Sequence, residues 1–156
     1  MDDILTVEQF SLDLRREKVW NPILHEISFT LKKGETLGIV GESGSGKSVT
    51  ALSIMRLLES KIAKNSGKLL FFDSNLQNQI AMDTLPEKEM QKIRGDKIAM
   101  IFQEPMTSLN PVMKCGAQIT EALLLHTKLS KKEAKLRVLE LFNEVMLPRP
   151  EKIFEA

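Results

Sequence analysis

The chain has 156 residues, 42% hydrophobic and 28% charged, a balance that supports a packed core and argues against disorder. Its 22 basic and 21 acidic side chains leave a net charge of +1, which gives no electrostatic case for nucleic acid or an acidic surface as partner. The lone Cys115 cannot close an internal disulfide, no apolar run approaches the roughly eighteen residues of a membrane span, and the acidic start Met1-Asp2-Asp3 is no signal peptide. The length predicts one domain.

In chain order, Phe10, Leu12 and Leu14 alternate with Ser11 and Asp13, and Ile27, Phe29 and Leu31 with Ser28 and Thr30, which predicts antiparallel sheet. Between them, Glu17-Lys18-Val19-Trp20-Asn21-Pro22 is polar and turn-like and leaves the single tryptophan, Trp20, exposed. His25 falls on a strand edge with no partner set. Lys32-Lys33-Gly34-Glu35 is a polar turn, after which Thr36-Leu37-Gly38-Ile39-Val40 has the apolar character of a buried strand.

That strand runs into Gly41-Glu42-Ser43-Gly44-Ser45-Gly46-Lys47-Ser48, a complete phosphate loop of the form G-x-x-x-x-G-K-S/T. Its glycines let successive backbone N–H groups turn inward as a nest for phosphate oxygens. The Lys47 ammonium can reach the β- and γ-phosphates, and the Ser48 hydroxyl can hold Mg²⁺. Val49 is the last candidate contact and opens an apolar run to Leu58 that predicts a helix. Strand, glycine loop and helix is the setting the motif requires.

Lys61 to Gly67 reads as a loop and Lys68 to Phe72 as a strand. Leu69-Leu70-Phe71-Phe72-Asp73 also has the form of a Walker B strand, in which Asp73 would hold Mg²⁺ through water. Asp73-Ser74-Asn75 is rich in turn formers, however, and the turn reading is preferred. Asn75 to Pro86 is polar and irregular; Pro86 to Ile93 predicts a short helix with Thr84 as its N-cap and Gly95 beyond its end. Lys97 to Phe102 is a second buried-strand candidate that ends at Gln103. Pro105 and Pro111 enclose a loop, and Ala117 to His126 predicts a helix. Ser130-Lys131-Lys132-Glu133 is a capping box opening a helix with Ala134, Val138, Leu141, Phe142 and Val145 on one stripe, ended by Pro148 and Pro150.

A side-chain amide at a strand end beside a phosphate loop can place its carbonyl oxygen on Mg²⁺ or orient the attacking water, which makes Gln103 a candidate metal ligand and coupling residue; a plain polar strand cap is the alternative. Its surroundings sharpen the choice. Ile101-Phe102-Gln103-Glu104-Pro105-Met106-Thr107-Ser108-Leu109-Asn110-Pro111, with the Gly41–Ser48 loop and the Lys33-Gly34-Glu35 turn, resembles the ATP-binding proteins of ABC transporters, in the subfamily serving dipeptide, oligopeptide and nickel importers.

The resemblance implies an α/β P-loop NTPase core with an N-terminal antiparallel β subdomain and a C-terminal helical subdomain. Residues 1–103 would hold the partial nucleotide-binding core, and 104–156 the glutamine loop and the start of the helical part. It implies ATP and Mg²⁺ as ligands, transmembrane permease subunits and a second ATP-binding subunit as partners, and a peripheral position on the cytoplasmic face of the cell membrane. It also implies an aromatic platform for adenine some twenty residues before the loop. Trp20 is the candidate, although alignment sets the family's aromatic on Lys18 or Val19. No L-S-G-G-Q signature, following Walker B glutamate or switch histidine occurs in the sequence. The expectation is therefore an N-terminal piece of an ABC ATPase, unable to hydrolyse ATP by itself. A small P-loop kinase using Asp73 is the alternative, but Arg56, Arg94 and Arg137 are scattered along the chain. A non-hydrolysing regulatory module is another.

Overall fold

The computed structural model describes residues 3–74, 77–103 and 109–156, so the Glu104–Ser108 part of the glutamine loop lies outside the described residues. The chain divides into two compact units, Met1–Ile98 and Ala99–Ala156, whereas the sequence placed the division after Gln103.

In the first unit, β1 (Asp3–Arg16), β2 (Val19–Lys32), β3 (Ala63–Asp73) and β4 (Asn78–Ala81) form an antiparallel sheet in the order β2-β1-β3-β4. Glu17 and Lys18, with φ of 49° and 70°, make the tight β1–β2 turn whose twist matches the strands. The hairpin has four register shifts, of which two bear on the residues around the loop. Gln9, at φ 45°, is the extra residue between the pairs Val7–Phe29 and Phe10–Ile27. Ile23 is extra between Leu12–Leu24 and Asp13–Pro22. Bulging keeps Val7, Phe10, Leu12, Leu24 and Leu69 buried in one core with Met82 and Met90. Val49, Ile54 and Leu58 pack on the same core from α1 (Lys47–Ile54) and the loop after it.

Helix α1 ends four residues short of the expected Leu58. Met55 is its C-cap and Arg56 turns to φ 50°. The carbonyls exposed there are capped from a distance: Arg94 Nε donates to the Met55 carbonyl at 2.7 Å and Nη2 to that of Arg56 at 2.9 Å. Arg94 also holds Glu87, the first residue of α2 (Glu87–Ile93). Pro86, not Thr84, is the N-cap of α2, and Gly95 follows its end at φ 84° as expected.

Two expected strands are absent. Thr36–Val40 forms no ladder among the described residues, and Val40 is 93% exposed. Of Lys97–Phe102, only Ile98 makes an isolated bridge, to Arg94, and Ile101 is 93% exposed. An apolar run becomes a strand only where a neighbour supplies the ladder hydrogen bonds, and no described strand does so for either. The Walker B reading of Asp73 also fails. It is the buried last residue of β3, opposite Asn78 across the turn into β4, in an antiparallel sheet.

The second unit is helical: α3 (Cys115–His126), α4 (Lys131–Glu144) and α5 (Pro150–Glu155). The capping box forms in full, with Ser130 Oγ accepting from the Glu133 N–H at 3.3 Å and Glu133 Oε2 from the Ser130 N–H at 2.7 Å. Ala134, Val138 and Phe142 are buried, Leu141 is half-buried, and Val145 lies beyond the helix and is exposed. Pro150 does more than stop α4. It opens α5 as a separate helix.

Candidate nucleotide-binding site

Gly41 to Gly46 lead directly into α1, whose first turn has no side-chain cap, so its leading N–H groups are presented to whatever lies before the helix. The N-cap is Gly46 at φ 93°, a left-handed conformation that a side chain resists. A Cβ there would also stand 2.5 Å from Leu24 Cδ2, and one on Gly41 would stand 2.6 Å from Ser45 Oγ. Gly46 is thus required by the seating of the loop on β2 as well as by its curvature, whereas Gly41 is crowded only by Ser45 of the loop itself.

Lys47 Nζ curls back over the loop and donates to the carbonyls of Gly41 and Glu42, at 2.7 Å each, and to Ser45 Oγ at 3.3 Å. Its positive charge is therefore held against the loop, beside the uncapped first turn of α1, where an anion is favoured twice over. Ser48 is exposed in the first turn, with its hydroxyl available to a cation, while Val49 turns into the core and helps anchor α1. Glycines that a Cβ would clash with, uncapped amides and a converging ammonium fit a polyphosphate with Mg²⁺. A cavity of about 530 Å³ in this unit lies elsewhere, between Phe10, Leu69, Ser53 and Asp83, and includes no residue of the loop.

Trp20 is not brought to this face. It pairs with Arg15, whose guanidinium carbon lies 5.9 Å from the ring centroid. Cross-strand partners share a sheet face, and faces alternate along a strand. Leu12–Leu24 and Leu14–Asn21 therefore occupy the face on which α1 packs, and Arg15–Trp20 the other. The bulge at Ile23 decides this, and simple alternation from Leu24 gives the opposite answer. Gln103 is exposed in a bend of the second unit. Arg56 and Arg94, scattered in sequence, do come together, but at the C-terminal end of α1, about 12 Å of helix rise from the loop. Arg56 Nη1 donates to the carbonyls of Met82 and Leu85. Both guanidiniums therefore serve backbone carbonyls at that end of α1. Among the described residues no group of His, Cys, Asp and Glu could hold a metal by itself.

Residues 24–153 match the ABC transporter family. The chain is 54% identical over 127 residues to the oligopeptide transport ATP-binding protein OppD of Bacillus subtilis, covering 81% of this chain and 34% of that protein. It is 43% identical over 155 residues to AppD of the same organism, covering 99% and 46% respectively. It therefore spans less than half the length of these relatives. A solved dimeric ATP-binding cassette, MJ0796 bound to ADP and Pi, superposes with a TM-score of 0.77 at 23% identity over 98% of this chain and 61% of that one. At that identity the likeness shows a shared fold.

Proposed function

Because the chain belongs to the ABC transporter family, we propose that it is the nucleotide-engaging part of the ATP-binding, energy-coupling subunit of a peptide importer. The observation that carries the reading is the Gly41–Ser48 loop, with Lys47 poised over it and an uncapped helix behind it. Loop amides and Lys47 would bind the β- and γ-phosphates, and Ser48 would hold Mg²⁺, which neutralises phosphate charge. Gln103 would supply a further Mg²⁺ or water contact and report nucleotide state to the loop that follows it.

Peptides are the favoured cargo because the similar proteins from Bacillus subtilis are named for oligopeptide transport. Permease subunits, a second ATP-binding subunit and a peripheral place on the inner face of the membrane belong to the same proposal. Among the described residues, no helix is long and apolar enough to cross a membrane.

Isothermal titration with Mg²⁺–ATP tests the reading. Lys47→Ala is expected to weaken binding at least about tenfold, the scale of a lost charge-assisted hydrogen bond to phosphate. Equal affinity in the two forms would refute it.

A further inference from the structure

Downstream of Gln103, the chain is held by a series of contacts that the phosphate-binding function does not use. Gln118, in the first turn of α3, bonds the segment before the helix three times. Its Oε1 accepts from the Asn110 N–H at 2.9 Å, and its Nε2 donates to the carbonyls of Asn110 at 3.1 Å and Met113 at 3.0 Å. A side-chain amide used on both sides fixes the chain as a backbone partner would. The start of α3 is fixed in turn by α5. The Cys115 N–H, an orphan donor of the first turn, bonds the Ala156 carbonyl at 2.8 Å. The Phe154 ring lies against Gly116 so closely that a Cβ there would stand 2.3 Å from it. Glu155 binds Lys114 at 2.6 Å and Lys135 at 3.3 Å, while the Lys135 ammonium also sits 4.6 Å from the Phe154 ring centroid.

We propose that α5 is a strap which, through Phe154 on Gly116 and Glu155 between Lys114 and Lys135, positions the start of α3 and so lets Gln118 hold the exit of the glutamine loop. Gly116, Gln118, Phe154 and Glu155 are positioning residues. None needs to touch nucleotide. The inference rests on the ABC-type reading only for the identity of the loop it holds. Its physical content is a coupling between two anchors, the α5 contacts and the Gln118 amide. Loosening α5 frees Cys115 first and Asn110 through it, whereas removing the Gln118 amide frees Asn110 first. Glycine at 116 is a steric requirement, since the ring occupies the place of any side chain.

Amide hydrogen exchange, read residue by residue on the whole 156-residue chain without nucleotide, tests this. Glu155→Gln and Phe154→Ala are each expected to speed exchange at both Cys115 and Asn110 about fivefold or more, while Glu133, bonded within its own capping box, stays unchanged. Gln118→Ala should speed Asn110, which it bonds directly, more than Cys115. Gly116→Ala should mimic loss of the strap, and adding Phe154→Leu should restore much of the protection by giving the new methyl room. If Gly116→Ala does not fold, the Glu155 and Gln118 variants still decide. Unchanged exchange at Asn110 after both α5 substitutions overturns the proposal, as does a uniform rise that includes Glu133. ATP titration plays no part, so a failed strap and a failed nucleotide-binding reading are told apart.

Discussion

Gly46 and Gly44 separate two costs that a phosphate loop imposes. Both have positive φ, 93° and 85°, so a side chain at either is strained by about 1–2 kcal/mol. Only Gly46 also meets a neighbour, Leu24 Cδ2 at 2.5 Å, whereas a Cβ at Gly44 would have nothing within 4 Å. Gly46→Ala is therefore expected to lower both the melting temperature and ATP affinity more than Gly44→Ala. Thermal melts and titrations of the two variants check this; equal effects would mean that the β2 contact does not hold the loop.

At the level of elements, α4 is the best-determined piece. Ser130→Ala should cost about 1 kcal/mol in denaturant unfolding of the helical unit, the usual worth of such a cap. Its acid partner adds a pH dependence. The hydrogen bonds from the Ser130 side chain, and then its backbone, hold the Glu133 carboxyl below its ordinary value of 4.5. A depressed carboxylate contributes stability that is fully present above that value and is lost as pH falls through the lower folded one. Faster exchange of the first-turn amides of α4 only below about pH 4.5 is the expected signature. The β1–β2 hairpin makes a different prediction. Leu14 shares the sheet face of α1 and Trp20 does not, so Leu14→Ala should weaken ATP binding more than Trp20→Ala. The reverse order in titration would return Trp20 to the adenine site.

Across the whole molecule, the exposed apolar segments dominate. Val40 and Ile101, each 93% exposed, sit in runs whose composition suits buried parallel strands. Unladdered backbone beside apolar side chains invites pairing with another chain. The 156-residue polypeptide is expected to be marginally stable and to self-associate, with sedimentation unchanged by Mg²⁺–ATP because its sequence contains no L-S-G-G-Q to contact a second nucleotide. A monodisperse, cooperatively melting monomer, or a dimer that appears only with ATP, contradicts this. Steady-state ATP hydrolysis should stay at background; turnover of even about one per second would show that the chain holds a catalytic carboxylate.

What the sequence determined by itself is local. Glycine spacing and the following Lys-Ser specify the phosphate loop because φ and charge are properties of single residues. The Ser130–Glu133 box specifies its helix start because both ends of the interaction lie within a few residues, and the Phe10–Leu14 and Ile27–Leu31 alternation specifies strands because the short Glu17–Lys18 turn brings those two segments together. The loop's placement against Leu24 followed from none of these. The face of Trp20 turned on a one-residue bulge at Ile23, which reverses every side chain beyond it and leaves no mark in the hydrophobic pattern. The early end of α1 depended on Arg94, far along the chain. Thr36–Val40 and Lys97–Phe102 read as strands because their composition is that of strands. Tertiary structure decided otherwise, because a strand is a relation between two segments and these have no described neighbour to complete it.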